Sequence, residues 1–489
     1  MNEIPERRTY QAGEAGPATE HPALLAMRPR WVLPLLLLGG TEAMRLAGEA
    51  YLPRGEEEDK KQWQKRLNGT VLYNYYARAV SNLSSLPTGE PSTIREPTPL
   101  QEDMIEDIDR RGQTLTQYVR DCLADLSVFG MAITLTSYPR KPTDDDDRPM
   151  TVAEKKDLGM RPYFIRVPPA DLVSWDHDDR GRLIHFVYRE TTRRKRSAYQ
   201  LAEVHAVIEW TPSECFRWEL QGTNHQDDPG GVWAMVDQVP NELGYIPVRV
   251  AYAGQAIAPF TVDPPLEELA ELNGQHWRDR SAQNGVERVT RNPLLVINDV
   301  QASDTQKFSV GPYTALAINK PAPAQRSDAL TFIESDGKAA QIGRELLKTL
   351  EDRMESLSVE PLTLRHSAPT ATQIMVDDSR SVSDLQSWVK SLESSLGLAF
   401  EDAANWEGEP PAEDRPAVSI SKDFATLPNT GMLEAVERDY ELGTITLETY
   451  LYERARYGVY SDEFSPEEEA RKVQAADNND NDADEEIED

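Results

Sequence analysis

From Leu115 to Phe129 apolar side chains return every three or four residues, at Leu115, Val119, Leu123, Leu126 and Phe129. They line one face of a helix that Gly130 is placed to end. Directly after it, 131–137 reads Met-Ala-Ile-Thr-Leu-Thr-Ser, a strand with a proline-rich exit. Upstream, the pattern predicts a helix over 103–111 and helical structure from 39 to 83. In that stretch Thr41 is the expected cap and Pro53 the stop of a first segment, and a second helix carries Trp63, Leu67, Val71, Tyr73 and Tyr76. Residues 1–22 mix glycine, proline and charge without an apolar period, which predicts a flexible arm and ordered structure from about Ala23.

Between 161 and 253 the period drops to two. Val204, Ala206, Ile208 and Trp210 alternate with Glu203, His205 and Glu209, and Phe216, Trp218 and Leu220 alternate with Arg217 and Glu219. Asp179-Arg180-Gly181 and Pro229-Gly230-Gly231 mark turns, so an antiparallel meander with one wet face is expected. After Pro264-Pro265, residues 266–289 form a long polar helix whose apolar content is too thin for a globular core. Such a helix packs beside copies of itself or lines a solvent channel. Short strand-like runs follow at 293–297, 313–318 and 330–333. A second long helix starts near Ser335 or Asp336 and carries Ile342, Leu346, Leu350, Met354 and Leu357; roughly 23 residues at 1.5 Å each reach about 35 Å. Pro361 and Pro369 bracket a loop over 362–368, after which Thr370 and Gln373 have capping-box spacing. A third long helix then carries an ordinary core stripe, Leu385, Trp388, Leu392, Leu396, Ala399, Ala403 and Trp406, and ends at Gly408. Two or three shorter helices are expected over 431–472, and 475–489, with eight acidic residues and no basic ones, reads as disordered.

Composition narrows the chemistry. A chain of 489 residues exceeds what one core usually organises, so several lobes are expected. A formal charge of −32 opposes casual adhesion to nucleic acid or anionic membranes. Cys122 and Cys215 lie in apolar surroundings without C-x-x-C or metal-ligand spacing, which fits two small hydrophobes in a reducing compartment. The longest apolar run, 31–38, contains Pro34 and is far short of the roughly 20 residues that a membrane span needs. It follows Glu3, Glu6, Glu14 and Glu20 and has no cleavage site behind it, so a signal peptide is not expected and a cytoplasmic protein is. No P-loop, G-x-G-x-x-G, G-x-S-x-G or H-E-x-x-H occurs. Asp144 to Asp147 reads as a solvated turn, and Asp176-His177-Asp178-Asp179 as the approach to the Gly181 turn. Arg278, Arg280, Arg288 and Arg291, then Lys338, Arg344, Lys348 and Arg353, gather on the first two long helices beside many carboxylates; ion pairs are favoured there over a phosphate-gripping stripe.

The order of these elements resembles the portal proteins of tailed bacteriophages, specifically a portal-like family catalogued as a domain of unknown function. Four stretches carry the likeness: Met44-Arg45-Leu46-Ala47-Gly48-Glu49-Ala50-Tyr51-Leu52-Pro53, Asp125-Leu126-Ser127-Val128-Phe129-Gly130-Met131, Pro265-Leu266-Glu267-Glu268-Leu269-Ala270-Glu271-Leu272-Asn273, and Thr370-Ala371-Thr372-Gln373. The resemblance implies an α+β portal architecture with wing, two-helix stem, small α/β clip, long kinked wing helix and helical crown, assembled as a dodecameric ring at one capsid vertex. On this sequence it implies an arm over 1–22, wing 23–264, stem 265–289 and 335–358, clip 290–334, channel loop 359–368, long wing helix 369–407, crown 408–472 and acidic tail 473–489. It further implies a conduit for packaging and ejecting double-stranded DNA that is not an enzyme and needs no cofactor or metal. The expected partners are the major capsid protein, terminase large subunit, head-tail adaptor and scaffold, with no membrane involved. Arg365 and His366 in the channel loop, with Lys338, Arg344 and Lys348, are the candidate DNA-channel residues. Two other readings stay open from sequence: another virion structural component, such as a capsid or adaptor subunit, and a metal-dependent nuclease using Asp144 to Asp147 or Asp176 to Asp179.

Overall fold

The computed structural model describes residues 9–139, 158–197, 199–222, 231–291, 294–298, 315–318, 330–333, 337–359, 383–408, 415–422 and 437–456, with 465, 469, 471 and 472. The chain is mixed α+β. It begins with β1 (Thr9–Gln11) and α1 (Pro22–Leu38), whose N-terminus is capped by His21 Nδ1 accepting from Ala23 N–H at 3.2 Å. Leu24, Met27, Trp31, Pro34 and Leu37 form the buried stripe of α1. A break at Gly39 leads to α2 (Gly40–Ala47). Thr41 is not its cap; its hydroxyl accepts from Leu72 N–H instead. The second helix expected through Tyr76 is two: α3 (Lys60–Gly69), capped by Asp59, and α4 (Tyr75–Ser85), capped by Asn74. The Asn74 side chain accepts from Ala77 N–H at 2.9 Å and so starts a new helix, which leaves Val71 and Tyr73 outside either one and exposed.

After β2 (Thr93–Ile94), α5 (Pro99–Glu106) begins earlier than the apolar pattern suggests, because Thr98 and Gln101 form a reciprocal capping box with Pro99 at the first helical position. α6 (Leu115–Phe129) has a second such box at Thr114 and Gln117 and runs as expected to Gly130. Gly130 sits at φ +79°, and a Cβ there would come within 2.7 Å of the Asp263 carbonyl oxygen, so both conformation and space require glycine.

Eight strands follow: β3 (Met131–Ser137), β4 (Tyr163–Val167), β5 (Leu172–His177), β6 (Leu183–Ser197), β7 (Gln200–Trp210), β8 (Glu214–Gln221), β9 (Val232–Pro240) and β10 (Val248–Tyr252). The expected meander exists as β5 to β9, every neighbouring pair antiparallel. The flanking strands β4 and β10 leave it to sandwich β3 in a separate three-stranded sheet. Residues 9–21, expected as a flexible arm, are structured: β1 pairs with β9, Ala12 joins the core of Val173, Val187, Val207, Phe216, Trp218, Leu220 and Trp233, and Tyr10 meets Trp218 edge-on at 5.5 Å. Burial of those few side chains outweighs the ordering cost of a polar, glycine-rich segment.

The rest of the first contact unit is α7 (Glu267–Thr290), β11 (Leu294–Asn298), β12 (Ala315–Ile318), β13 (Leu330–Ile333), α8 (Lys338–Val359), α9 (Asp384–Glu407) and β14 (Val418–Ser419), which pairs with β2. α9 lies on β10, β3 and α6, and its expected stripe is core except at its end: Leu385, Trp388, Leu392, Leu396, Ala399 and Ala403 are buried and Trp406 is half-buried. Its cap is the Ser383–Gln386 box, whereas the Thr370–Gln373 spacing lies outside the described residues. Buried Asp402 fixes α9 to β10 by accepting two bonds from Arg249, at 2.7 and 2.6 Å, and one from the Tyr245 hydroxyl at 2.8 Å. Contacts divide the chain into Met1–Ser421 and Lys422–Asp489. The second unit holds α10 (Leu447–Arg456), with Tyr440 stacked on Tyr450 at 4.4 Å.

Candidate functional site

α7 and α8 form an antiparallel pair. Thr290 neighbours Gly337 at one end, and Glu268 pairs with Arg353 near the other. Between them β11 takes β12 in parallel and β13 antiparallel, with Leu295 opposite Ala315 and Leu294 opposite Ile333. The three short runs read from the sequence are these strands.

The polar helix α7 is the main departure from expectation. Its buried residues, Leu269, Ala270, Asn273, His276, Trp277, Ser281 and Gln283, recur at helical spacing and face α1, α3, α4 and α8 of the same chain. This face therefore needs no second copy to cover it. What makes it a core stripe is that most of its polar groups find partners inside, His276 Nδ1 and Trp277 Nε1 being the buried exceptions. Asn273 Oδ1 accepts from Tyr76 N–H at 3.0 Å and its amide donates to the Tyr73 carbonyl at 2.8 Å, holding the break between α3 and α4. The Ser281 hydroxyl accepts from Thr70 Oγ1 at 3.0 Å. His276 Nε2 meets Glu351 Oε1 at 3.0 Å, and the Gln283 amide donates to the Ala340 carbonyl at 2.8 Å, both across to α8. Composition alone concealed this. The signal that could have found it is the three- and four-residue recurrence of polar, rather than apolar, side chains.

On α8 the sequence stripe splits. Ala340, Leu347 and Met354 are buried, Leu350 and Leu357 are half-buried, and Ile342 and Leu346 are 58% and 67% exposed. The contact face is set by Gly343, against which the Gln283 side chain lies so closely that a Cβ would overlap it at 1.9 Å. The outer surface of the pair thus presents Val286, Ile342 and Leu346 among charges.

The charges are largely arranged as ion pairs. Arg344 meets Glu287 at 3.7 Å, Arg291 meets the same carboxylate at 3.1 Å, and Arg280 lies 5.5 Å from the Tyr73 ring centre. Arg30 of α1 clamps Glu267 at the start of α7, Nε to Oε1 at 2.7 Å, and also bonds Asp263. Arg344 and Lys348, one turn apart, share the exposed side of α8, and Lys338 is at its first position, also exposed in part. Arg365 and His366 lie outside the described residues, as do Asp144 to Asp147.

Elsewhere the candidate acid cluster is a turn. Asp178 accepts from the Arg180 and Arg182 backbone N–H groups at 2.9 and 2.8 Å and from Arg182 Nε at 2.8 Å, while Gly181 takes φ +75°. Among the described residues no group of three or more His, Cys, Asp or Glu side chains is arranged for a metal ion, and no helix is long and apolar enough to cross a membrane. The apolar run 31–38 belongs to α1. Neither cysteine is in a disulfide; burial pushes the Cys122 thiol far up, while Cys215 is half-buried. A cavity of about 480 Å³ lies between residues 10–22 and the large sheet, but its polar groups serve each other: Glu209 takes His185 Nε2 at 3.0 Å and Trp218 Nε1 at 2.8 Å.

Residues 265–407 match the profile of a family described as a domain of unknown function (DUF4055). The matched segment runs from the start of α7 through the three strands and α8 to the end of α9. No curated protein matches the chain.

Proposed function

We propose that this chain is the subunit of a phage portal, a dodecameric ring through which double-stranded DNA passes into and out of a viral head. The observation that carries the reading is the antiparallel α7–α8 pair, joined by a three-stranded sheet and followed by a long helix that returns to the other sheets. The DUF4055 match covers that same unit and the helix after it. In this reading 265–289 and 335–358 are the stem, 290–334 the clip, 359–368 the channel loop, 369–407 the wing helix and 408–472 the crown.

Physical reasons favour it. The inner face of α7 is covered within the chain, so what is left for a neighbour is the outer surface, where Val286, Ile342 and Leu346 are exposed. Contact there buries apolar area and gives a head-to-tail interface, the kind that closes into a ring. A net charge of −32 suits a conduit, because a wall that bound phosphates firmly would stall the DNA. Weak contact falls to Arg365 and His366 in the loop and to Lys338, Arg344 and Lys348 on the stem. The terminase large subunit and later the adaptor dock at the clip, and capsid and scaffolding proteins meet the wing. No covalent chemistry is assigned to the chain, and the Asp178 carboxylate of the nuclease alternative is committed to its turn.

Sedimentation velocity tests the reading. The purified chain is expected to sediment as a large closed oligomer, and Leu346→Asp to shift it towards monomer while leaving the far-ultraviolet spectrum unchanged. A native chain that stays monomeric at micromolar concentration contradicts the proposal.

A further inference from the structure

β6 and β7 outrun the sheet that holds them. β5 covers β6 only over Leu183 to Tyr188, and β8 covers β7 only from Ala206 onward. From Thr191↔His205 to Ser197↔Gln200 the two strands pair with each other and with no other described strand. At about 3.4 Å per residue this two-stranded arm projects roughly 20 Å.

Its tip is chemically unlike the rest of the molecule. Arg193-Arg194-Lys195-Arg196 is a run of four consecutive basic residues in a chain of net charge −32. The Arg193 and Arg194 side chains are 72% and 64% exposed, and Lys195 is exposed as well. Arg193 meets Glu203 at 3.4 Å and Arg194 meets Glu219 at 2.8 Å. The Arg193–Glu203 pair, exposed on both sides, is worth at most about 1 kcal/mol and exchanges readily for another anion, whereas Glu219 is buried and keeps Arg217 at 3.0 Å when the exposed Arg194 turns outward. At the turn Tyr199 is fully exposed, with Leu201 beside it on the outgoing strand. An aromatic ring with no packing partner among the described residues, at the end of a basic ribbon, has the two parts of a nucleic-acid grip: cations for the phosphates and a face on which a base can stack. A two-stranded ribbon also has the width to enter a duplex major groove. A membrane surface suits the arm less well, since adsorption there needs a broad apolar face and this tip offers one ring and one leucine.

We propose that the β6–β7 arm binds the phosphate backbone of nucleic acid through Arg193, Arg194 and Lys195, with Tyr199 stacking on exposed bases. The arm lies outside the α7–α8 unit, and its binding holds whether or not the chain forms a ring.

The test is fluorescence anisotropy of the full-length chain with labelled duplex DNA and labelled oligo(dT). The wild type binds both, and three neutralised phosphates make duplex binding about 40-fold weaker between roughly 50 and 200 mM salt. The combined Arg193→Gln, Arg194→Gln and Lys195→Gln variant loses at least about tenfold at the lower salt, and its salt dependence collapses. Tyr199→Ala loses about tenfold on oligo(dT) and keeps duplex binding. Lys195→Glu alone gives a smaller loss in the same direction and covers the case in which the triple variant misfolds. Absence of nucleic-acid binding at the lower salt, or binding that the triple variant and Lys195→Glu both retain, overturns the proposal. So does adsorption to phosphatidylserine vesicles without DNA binding, which would give the arm a lipid surface instead.

Discussion

Asn273→Ala removes the side chain that ties α7 to the break between α3 and α4. In the native chain its oxygen and amide satisfy the Tyr76 N–H and the Tyr73 carbonyl, at 3.0 and 2.8 Å, and Asn273 is completely buried. Truncation leaves the Tyr76 N–H unpaired away from water and the Tyr73 carbonyl with only its bond from the Tyr75 N–H; at roughly 1–3 kcal/mol for the orphaned donor and about 1 kcal/mol for the second lost bond, the expected loss is about 3 kcal/mol. Asn273→Asp does not restore it, because a carboxylate accepts from Tyr76 but turns a second oxygen towards the Tyr73 carbonyl and buries a charge. Urea unfolding followed by tryptophan fluorescence reads this directly, since Trp277 is one turn further along α7 and buried. The reasoning requires the loss to be independent of protein concentration, because every partner belongs to the same chain. A loss under about 1 kcal/mol, or one that appears only where the chain is oligomeric, refutes the assignment of this stripe to the internal core.

Asp402→Ala leaves the Arg249 guanidinium and the Tyr245 hydroxyl without their shared acceptor and is expected to cost about 3 kcal/mol or more in the same assay; a cost below about 1 kcal/mol contradicts it. Asp125 is buried 2.7 Å from Arg166, and desolvation outweighs that attraction, pushing its carboxyl up to about 7. A folded-state value above the unfolded one means that the folded chain holds the extra proton, so this stability is complete at acidic pH and is lost as pH rises through 7. The unfolding free energy of the wild type minus that of Asp125→Asn therefore falls between about pH 4 and pH 8, and a flat difference contradicts the assignment.

Legibility in the sequence followed agreement between local signals. α6, Gly130 and β3 were readable because apolar period, stop glycine and β-branched run all point the same way. The β11, β12 and β13 runs, the meander and the α9 stripe were readable for similar reasons. The break after α3 was hidden because Val71, Tyr73 and Tyr76 extend the apolar pattern across it, while the deciding bonds come from Asn74 locally and Asn273 far away. β1 was hidden because its three residues carry little pattern and gain their place from β9. On α8 apolar residues stand on both sides of the helix, so periodicity fits Ile342 and Leu346 as well as Leu347; the choice is made by Gln283 against Gly343, which no window of sequence contains. The candidate channel residues on α8 were legible as cations, but Glu287, the partner of Arg344, comes from the facing helix. The basic run at 193–196 gained meaning only once the pairing placed it at the end of an arm that no other described strand joins.

Negative-stain electron microscopy of the purified full-length chain tests the central claim most directly. The account predicts rings viewed down an axis with a central hole wide enough for duplex DNA. Solid particles without a through-channel, or compact monomers alone, would contradict it.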